Sequence, residues 1–138
     1  MALRNERQSD GFNARHATRV DEIADRIYRL ATATDLPDGS AFSFNQYLMD
    51  DDEPLLFHTG PRRLFPLVRE GIARVLPVDR VRYVALSHFE ADECDALNDF
   101  LAAAPKAEPV CGRIAAMVSI VDYADRPPCA LADCVAPA

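Results

Sequence analysis

The chain has few of the features that mark membrane, secreted or nucleic-acid-binding proteins. Across its 138 residues, no apolar run approaches the roughly 20 residues that a membrane-spanning helix needs. The first 20 positions contain no apolar segment of the kind found in secretory signals. Acidic residues outnumber basic ones by 22 to 15, which disfavours a nucleic-acid backbone as partner. We therefore expect a cytoplasmic protein that binds neither membranes nor nucleic acids.

Cysteine and histidine are both scarce. The four cysteines include no C-x-x-C pair, and without a secretory signal we expect them to be reduced thiols. The last of the three histidines is His88, so 50 residues follow without one. Loops in that second part of the chain could offer a metal only carboxylates and thiolates.

The remaining patterns indicate one α/β domain. Residues 1–20 are polar and predict a disordered leader, and residues 21–138 form the domain. Residues 21–34 fit a helix or a strand equally well. Strands are predicted at 42–49, 54–59, 81–86 and 108–110, with helices at 64–76 and around 97–101. Residues 112–121 fit either element, and the tail from 123 shows no period and predicts no closing element. The order indicates helices packed on a sheet.

One segment looks like chemistry. The apolar run that ends at Leu86 predicts a buried strand, and His88, Glu90 and Asp92 follow it at alternate positions. In an extended strand exit, such side chains can turn toward one point. One imidazole and several carboxylates suit iron or manganese better than a thiolate-bound zinc. The alternative is a polar strand end in which Asp92 or Ser87 caps the next helix.

This segment resembles the H-x-E-x-D metal motif of flavodiiron and related oxygen-binding diiron proteins, in the metallo-β-lactamase fold superfamily. The resemblance extends over about 100 residues. It includes the strand Phe44-Asn-Gln-Tyr-Leu, the strand Pro54-Leu-Leu-Phe-His-Thr-Gly, and the helices on either side of the motif. It implies an αββα sandwich, of which this chain corresponds to the N-terminal half. Half of such a sandwich would leave an apolar sheet face uncovered, which invites association, for instance as a homodimer.

The resemblance also implies a set of ligands. His88 and Glu90 would bind one metal, and Asp92 would bind a second. The family usually has histidine at the next position, where this chain has Glu93, so Glu93 is either an oxygen ligand or merely an acid in the first turn of a helix. His58 stands where the family has an aspartate close to the site. The parent domain would hold two irons, with zinc or manganese as alternatives.

Three functions remain open at this stage. The resemblance favours a diiron protein that binds or reduces dioxygen or nitric oxide, and reduction would require a flavin-containing redox partner. The alternative is a metallo-hydrolase in which a metal-bound hydroxide attacks an ester, thioester or amide substrate. Because no histidine follows His88, the third reading is an incomplete chain that is weakly active or inactive by itself.

Overall fold

In the described part of the chain, seven strands form one sheet in which neighbours in sequence are neighbours in space. The computed structural model describes residues 18–134, apart from the side chain of Cys134. The strands pair in the order β1 to β7. Pairing is antiparallel from β1 to β4 and parallel from β4 to β7. The strands are β1 (Arg19–Ala24), β2 (Ile27–Asp35), β3 (Ala41–Met49), β4 (Leu55–Phe57), β5 (Tyr83–Ala85), β6 (Glu108–Cys111) and β7 (Cys129–Ala130).

Short helices connect the parallel strands, as parallel pairing requires. Between β4 and β5 lie a 3₁₀ turn, helix α1 and a second 3₁₀ turn, and between β5 and β6 lie α2 and α3. A helical segment, residues 113–123, follows β6. The bounds are Arg62–Leu64 (3₁₀), α1 (Phe65–Ala73), Val78–Arg80 (3₁₀), α2 (Ala91–Cys94), α3 (Leu97–Ala103), α4 (Arg113–Ala115), Ala116–Ile120 (π-helix), α5 (Val121–Tyr123) and α6 (Leu131–Cys134).

The main core lies between these helices and one face of the sheet. Alternate strand residues such as Leu56 and Val84 are fully buried there against helix residues such as Ile72 and Phe100. Their neighbours Leu55, Phe57, Tyr83 and Ala85 point to the other face, in a smaller cluster to which the described helices contribute nothing. The described chain is thus one helical layer on one sheet. This confirms the predicted fold class, one half of an αββα sandwich.

The ambiguous segment near the N-terminus is a β-hairpin. Residue Arg26 sits in its turn with a positive φ of 59°. The strand β2 pairs with β3 from Ile27↔Met49 to Asp35↔Ala41, and its alternate residues Leu30, Thr32 and Thr34 are buried. Pairing on both edges decides between helix and strand where periodicity could not. The predicted leader ends too late, because Arg19 already lies in β1; residues 1–17 lie outside the described part.

The C-terminal part is more ordered than the sequence indicated. Residues 113–123 are helical, which settles the choice left open, and the predicted open tail supplies β7, paired in parallel with β6. The expectation of four reduced thiols is wrong, because Cys129 is disulfide-bonded, whereas Cys94 and Cys111 are free and buried. None of the described helices is long and apolar enough to span a bilayer.

Candidate metal centre

The candidate ligands gather where two parallel strands end side by side. Phe57 of β4 pairs with Ala85 of β5, so both strands release their loops at the same edge of the sheet. The backbone N–H of His58 extends this pairing by donating to the carbonyl of Ala85 at 2.9 Å. Such edges are the usual place for binding sites in α/β proteins, because the loops there are free to vary.

The carboxylate of Glu93 organises the loop that follows β5. It accepts hydrogen bonds from the backbone N–H of Ser87 (3.2 Å) and of His88 (2.6 Å). The hydroxyl of Ser87 donates to the same carboxylate at 2.8 Å. Glu93 is only 7% exposed. The helix α2 has no side-chain capping hydrogen bond, from Ser87, Asp92 or another residue. Glu93 therefore closes the loop from within, and the capping alternative is not realised.

The loop after β4 holds the same helix from the other side. Thr59, fully buried, donates its backbone N–H (2.7 Å) and its hydroxyl (2.8 Å) to the carbonyl of Glu93. Its hydroxyl also accepts the N–H of Ala96 at 3.2 Å. The carbonyl of Glu93 is thus fixed by one loop and its carboxylate by the other.

His58 lies beside this carboxylate. Its Nε2 is 3.4 Å from Oε2 of Glu93 and 3.2 Å from the hydroxyl of Ser87. Its ring stacks on Phe57 at 4.0 Å between centroids. The backbone has φ of 68°, a conformation that is uncommon for a residue with a side chain and that clusters at functional sites.

The electrostatics of the two groups are coupled. Burial raises the pKa of Glu93, but hydrogen bonds from His88 and Ser87 and the nearby imidazoles outweigh it, so the net pKa is lowered. Burial lowers the pKa of His58, and the charges of Glu93 and Asp92 oppose that change without reversing it. The site therefore favours an ionised Glu93 next to a neutral His58 at neutral pH.

The structure brings three of the four predicted ligands together. One ligand atom each from His88, Glu90 and Glu93 lies within 4.8 Å of the other two. His88 and Glu90 are exposed, whereas Glu93 is buried. Asp92 is exposed on the first turn of α2 and does not belong to this group.

Comparisons with known proteins give the fold but no sequence relative. No protein-family model matches the sequence, and no curated protein matches it. Among solved structures, rubredoxin oxygen:oxidoreductase from Desulfovibrio gigas superposes with a TM-score of 0.68 at 24% identity, over 81% of this chain and 30% of that one. The chain has the flavodiiron fold. Its identity to this neighbour shows the fold alone.

Two further flavodiiron structures agree. A metal-soaked flavodiiron core from Synechocystis sp. PCC6803 gives a TM-score of 0.69 at 20% identity, over 83% of this chain and 31% of that one. The flavodiiron protein from Giardia intestinalis gives 0.67 at 20% identity, over 84% and 30%. The chain thus spans about a third of the length of these flavodiiron proteins. None of the three supports the hydrolase alternative.

The donor set of this flavodiiron-type fold fits a hard or borderline metal ion. An imidazole nitrogen and two carboxylates are ligands that iron and manganese accept. An ionised carboxylate has about four acceptor positions on its two oxygens. Oε2 of Glu93 already faces two N–H groups, the Ser87 hydroxyl and His58, whereas Oε1 accepts a hydrogen bond from Ser87 and lies 3.7 Å from Nδ1 of His88. Oε1 therefore has capacity for a metal, and Oε2 holds the loop.

Sequence reasoning missed two residues that build this site. Ser87 was considered only as a helix cap, yet it binds Glu93 through its N–H and its hydroxyl. Thr59 was read as the end of a strand, yet it fixes the carbonyl of Glu93. The sequence did contain a signal for both residues. Thr59 directly follows His58, and Ser87 directly precedes His88. Both pairs stand at the ends of strands that must be neighbours if the sheet is parallel.

Proposed function

We propose that this chain binds iron through His88, Glu90 and Glu93, as part of a diiron-type protein that binds or reduces dioxygen or nitric oxide. The observation that carries the proposal is the meeting of these three ligand atoms within 4.8 Å at an edge formed by two parallel strands. The flavodiiron fold supports iron over other metals, and the carboxylate-rich donor set points the same way. Asp92, outside the group, is assigned to a second ion.

Bound iron would supply reversible one-electron chemistry and a coordination position for a diatomic ligand. The residues of the chain have separate tasks around it. His88 and Glu90, both exposed, can turn toward an incoming ion. Glu93 is held in place before any ion arrives, because Ser87, His88 and His58 fix its carboxylate from the protein side. Two ionised carboxylates would together match the charge of a divalent ion.

Electrons for reduction would come from a flavin-containing partner, as the flavin in the name of the flavodiiron neighbours suggests. Binding of dioxygen or nitric oxide requires only the reduced metal, whereas turnover requires that partner.

The first experiment is to measure metal per chain after expression in medium supplemented with iron and zinc. The proposal expects at least one iron per chain, lost in His88→Ala and kept in Glu70→Gln, an exposed carboxylate on α1. A second iron that Asp92→Asn removes would support the assignment of Asp92. Zinc with esterase turnover would instead favour the hydrolase. No metal above the His88→Ala control would contradict both.

A further inference from the structure

An aromatic contact ties the loop of candidate ligands to the helical segment 113–123. Phe89 stands between His88 and Glu90 in the sequence, and its ring meets the ring of Tyr123 at 5.3 Å between centroids and an interplanar angle of 72°. Such an edge-to-face arrangement is favourable for a pair of aromatic rings. Tyr123 is the last residue of α5, so this contact joins two parts of the fold that are far apart in sequence.

Tyr123 is itself fixed on the body of the protein. Its hydroxyl donates to the carbonyl of Asp95 at 3.2 Å, and its carbonyl accepts from the side-chain amide of Asn98 at 3.0 Å. The side chain of Asn98 also accepts the N–H of Asp125 at 2.7 Å, and the Tyr123 ring packs against the main core. The ring that Phe89 meets is therefore a firm support.

The hydrogen bonds of the ligand loop act on either side of Phe89. Glu93 holds the N–H of His88 through its carboxylate, and its own N–H donates to the carbonyl of Glu90 at 3.0 Å. His88, Phe89 and Glu90 are all exposed, so burial does little to fix their side chains. A backbone rotation at Phe89 would move both neighbouring ligands, and the contact with Tyr123 opposes that rotation.

We infer that Tyr123 is a positioning residue of the candidate metal centre: it holds the ring of Phe89 and thereby keeps the ligand atoms of His88 and Glu90 close to that of Glu93. The inference rests on the proposed function, because these three ligands are the ones assigned to iron. Without the contact, the loop would spend part of its time with the ligand atoms apart. The apparent affinity for a metal falls in proportion to the fraction of chains whose loop is competent to bind.

Calorimetric titration of the metal-free whole chain with iron(II), under anaerobic conditions, measures this consequence. We expect Phe89→Ala and Tyr123→Ala each to raise the dissociation constant about fivefold, the equivalent of one aromatic pair. Tyr123→Phe keeps the ring and should stay within about twofold. The matched control is Ile114→Ala, which shortens a 77% exposed apolar side chain near the other end of the same helical segment and should leave the dissociation constant unchanged.

The double variant separates positioning from a general loss of packing. If Tyr123 acts through Phe89, then Phe89→Ala should have no further effect once Tyr123→Ala is present, and the double variant should bind iron as Tyr123→Ala does. Independent effects that multiply to about 25-fold would overturn the inference. An unchanged dissociation constant in either single variant would overturn it as well, as would an equal rise in Ile114→Ala.

Hydrogen exchange of the metal-free protein tests the same contact independently of iron. The amides of Ser87 and His88, which are bound to Glu93, should exchange about fivefold faster in Phe89→Ala and in Tyr123→Ala, while the amides of β2 keep their protection. If the original chain bound no iron, the proposed function would fail, yet faster exchange would still support Tyr123 as the residue that holds the loop. Unchanged exchange would overturn the inference, and the proposed function would stand if iron still bound.

Discussion

At the scale of single residues, the structural role of Glu93 cannot be read from its position in the sequence. Glu93 follows a strand exit and begins a helix, as a first-turn acid would, yet its side chain turns back to bind Ser87 and His88. Hydrogen bonds to an ionised acceptor are stronger than neutral ones. The loop geometry of the candidate site therefore depends on this one carboxylate before any metal binds.

Replacing Glu93 with Gln should destabilise the metal-free protein by about 1–3 kcal/mol, the cost of leaving buried polar groups without partners. The amide removes the charge and forces an NH₂ group toward one of the donors of the loop. The matched control is Asp92→Asn, an exposed neighbour, for which we expect a change within about 0.5 kcal/mol. Urea unfolding in the presence of a chelator measures both. Equal effects would mean that Glu93 does not hold the loop.

His58 illustrates what a sequence can and cannot predict at this scale. The resemblance placed it near the site, and the structure confirms this proximity through its contacts with Glu93 and Ser87. Its positive φ could not be predicted, because residues other than glycine seldom adopt that conformation, even though histidine does so more often than most. The conformation comes from the fold: the N–H of His58 continues the pairing with β5 while Thr59 turns away to bind Glu93.

At the scale of elements, the connection from β4 to α1 depends on Gly60. Its φ is 79°, and a Cβ there would lie 2.8 Å from Nε2 of Gln46. Alanine must therefore adopt a left-handed conformation and displace a buried side chain. Each requirement costs free energy, and the connection directly follows His58 and Thr59.

We expect Gly60→Ala to lower the free energy of unfolding by about 2 kcal/mol, most of it from the backbone conformation. Gly112→Ala is the matched control. Gly112 has φ of −62° and an added Cβ would meet no atom within 4 Å, so the change should stay within about 0.5 kcal/mol. Thermal unfolding of the two variants side by side measures the difference. Similar losses at both positions would contradict this account of the connection.

Arg126 fastens the C-terminal end of α3 to the segment after the 113–123 helix. Its guanidinium donates to the carbonyls of Leu101 (2.6 Å), Ala104 (3.2 Å) and Ala107. The last carbonyls of a helix lack partners within it, and a cation there also interacts well with the helix dipole. One side chain thus satisfies three carbonyls and anchors the chain before β7.

Arg126→Ala should cost about 2 kcal/mol, in the range for hydrogen bonds made by charged groups. Arg80→Ala, at the exposed last position of the second 3₁₀ turn, should change the free energy of unfolding by less than about 0.5 kcal/mol. Hydrogen exchange adds a local readout, since the amides of α3 and β6 should lose more protection than those of β2. Uniform loss across the sheet would argue against a local anchor.

Elements with a strong pattern could be predicted from the sequence, and those that depend on distant partners could not. The helix α1 was predicted at residues 64–76 from its apolar period, although its regular part, Phe65–Ala73, is shorter than that pattern. The hairpin of β1 and β2 was ambiguous because Ile27 and Leu30 suit both periods, and only pairing with β3 decides it. The strand β7 is only two residues long. It forms by pairing with the edge of β6, which no local sequence pattern could predict.

At the scale of the whole molecule, the candidate site depends on three parts of the fold at once. The loop after β4, the loop after β5 and the helix α2 meet at Glu93, and none of them places a ligand alone. A metal held there should therefore stabilise the folded state as a unit, since the unfolded chain has no preformed site. The sequence predicted candidate ligands, but this dependence follows only from the hydrogen bonds between the loops.

With free iron(II) at about a hundred times the dissociation constant, the free energy of unfolding should rise by about 2.7 kcal/mol. Anaerobic thermal unfolding with and without a chelator measures the shift, which His88→Ala should abolish and Glu70→Gln should preserve. Nonspecific cation binding at the exposed acidic turn of residues 50–53 is the alternative that the measurement must exclude. If His88→Ala kept the full shift and Asp51→Asn with Asp52→Asn removed it, the stabilisation would come from that turn, and the site at the strand ends would not bind iron.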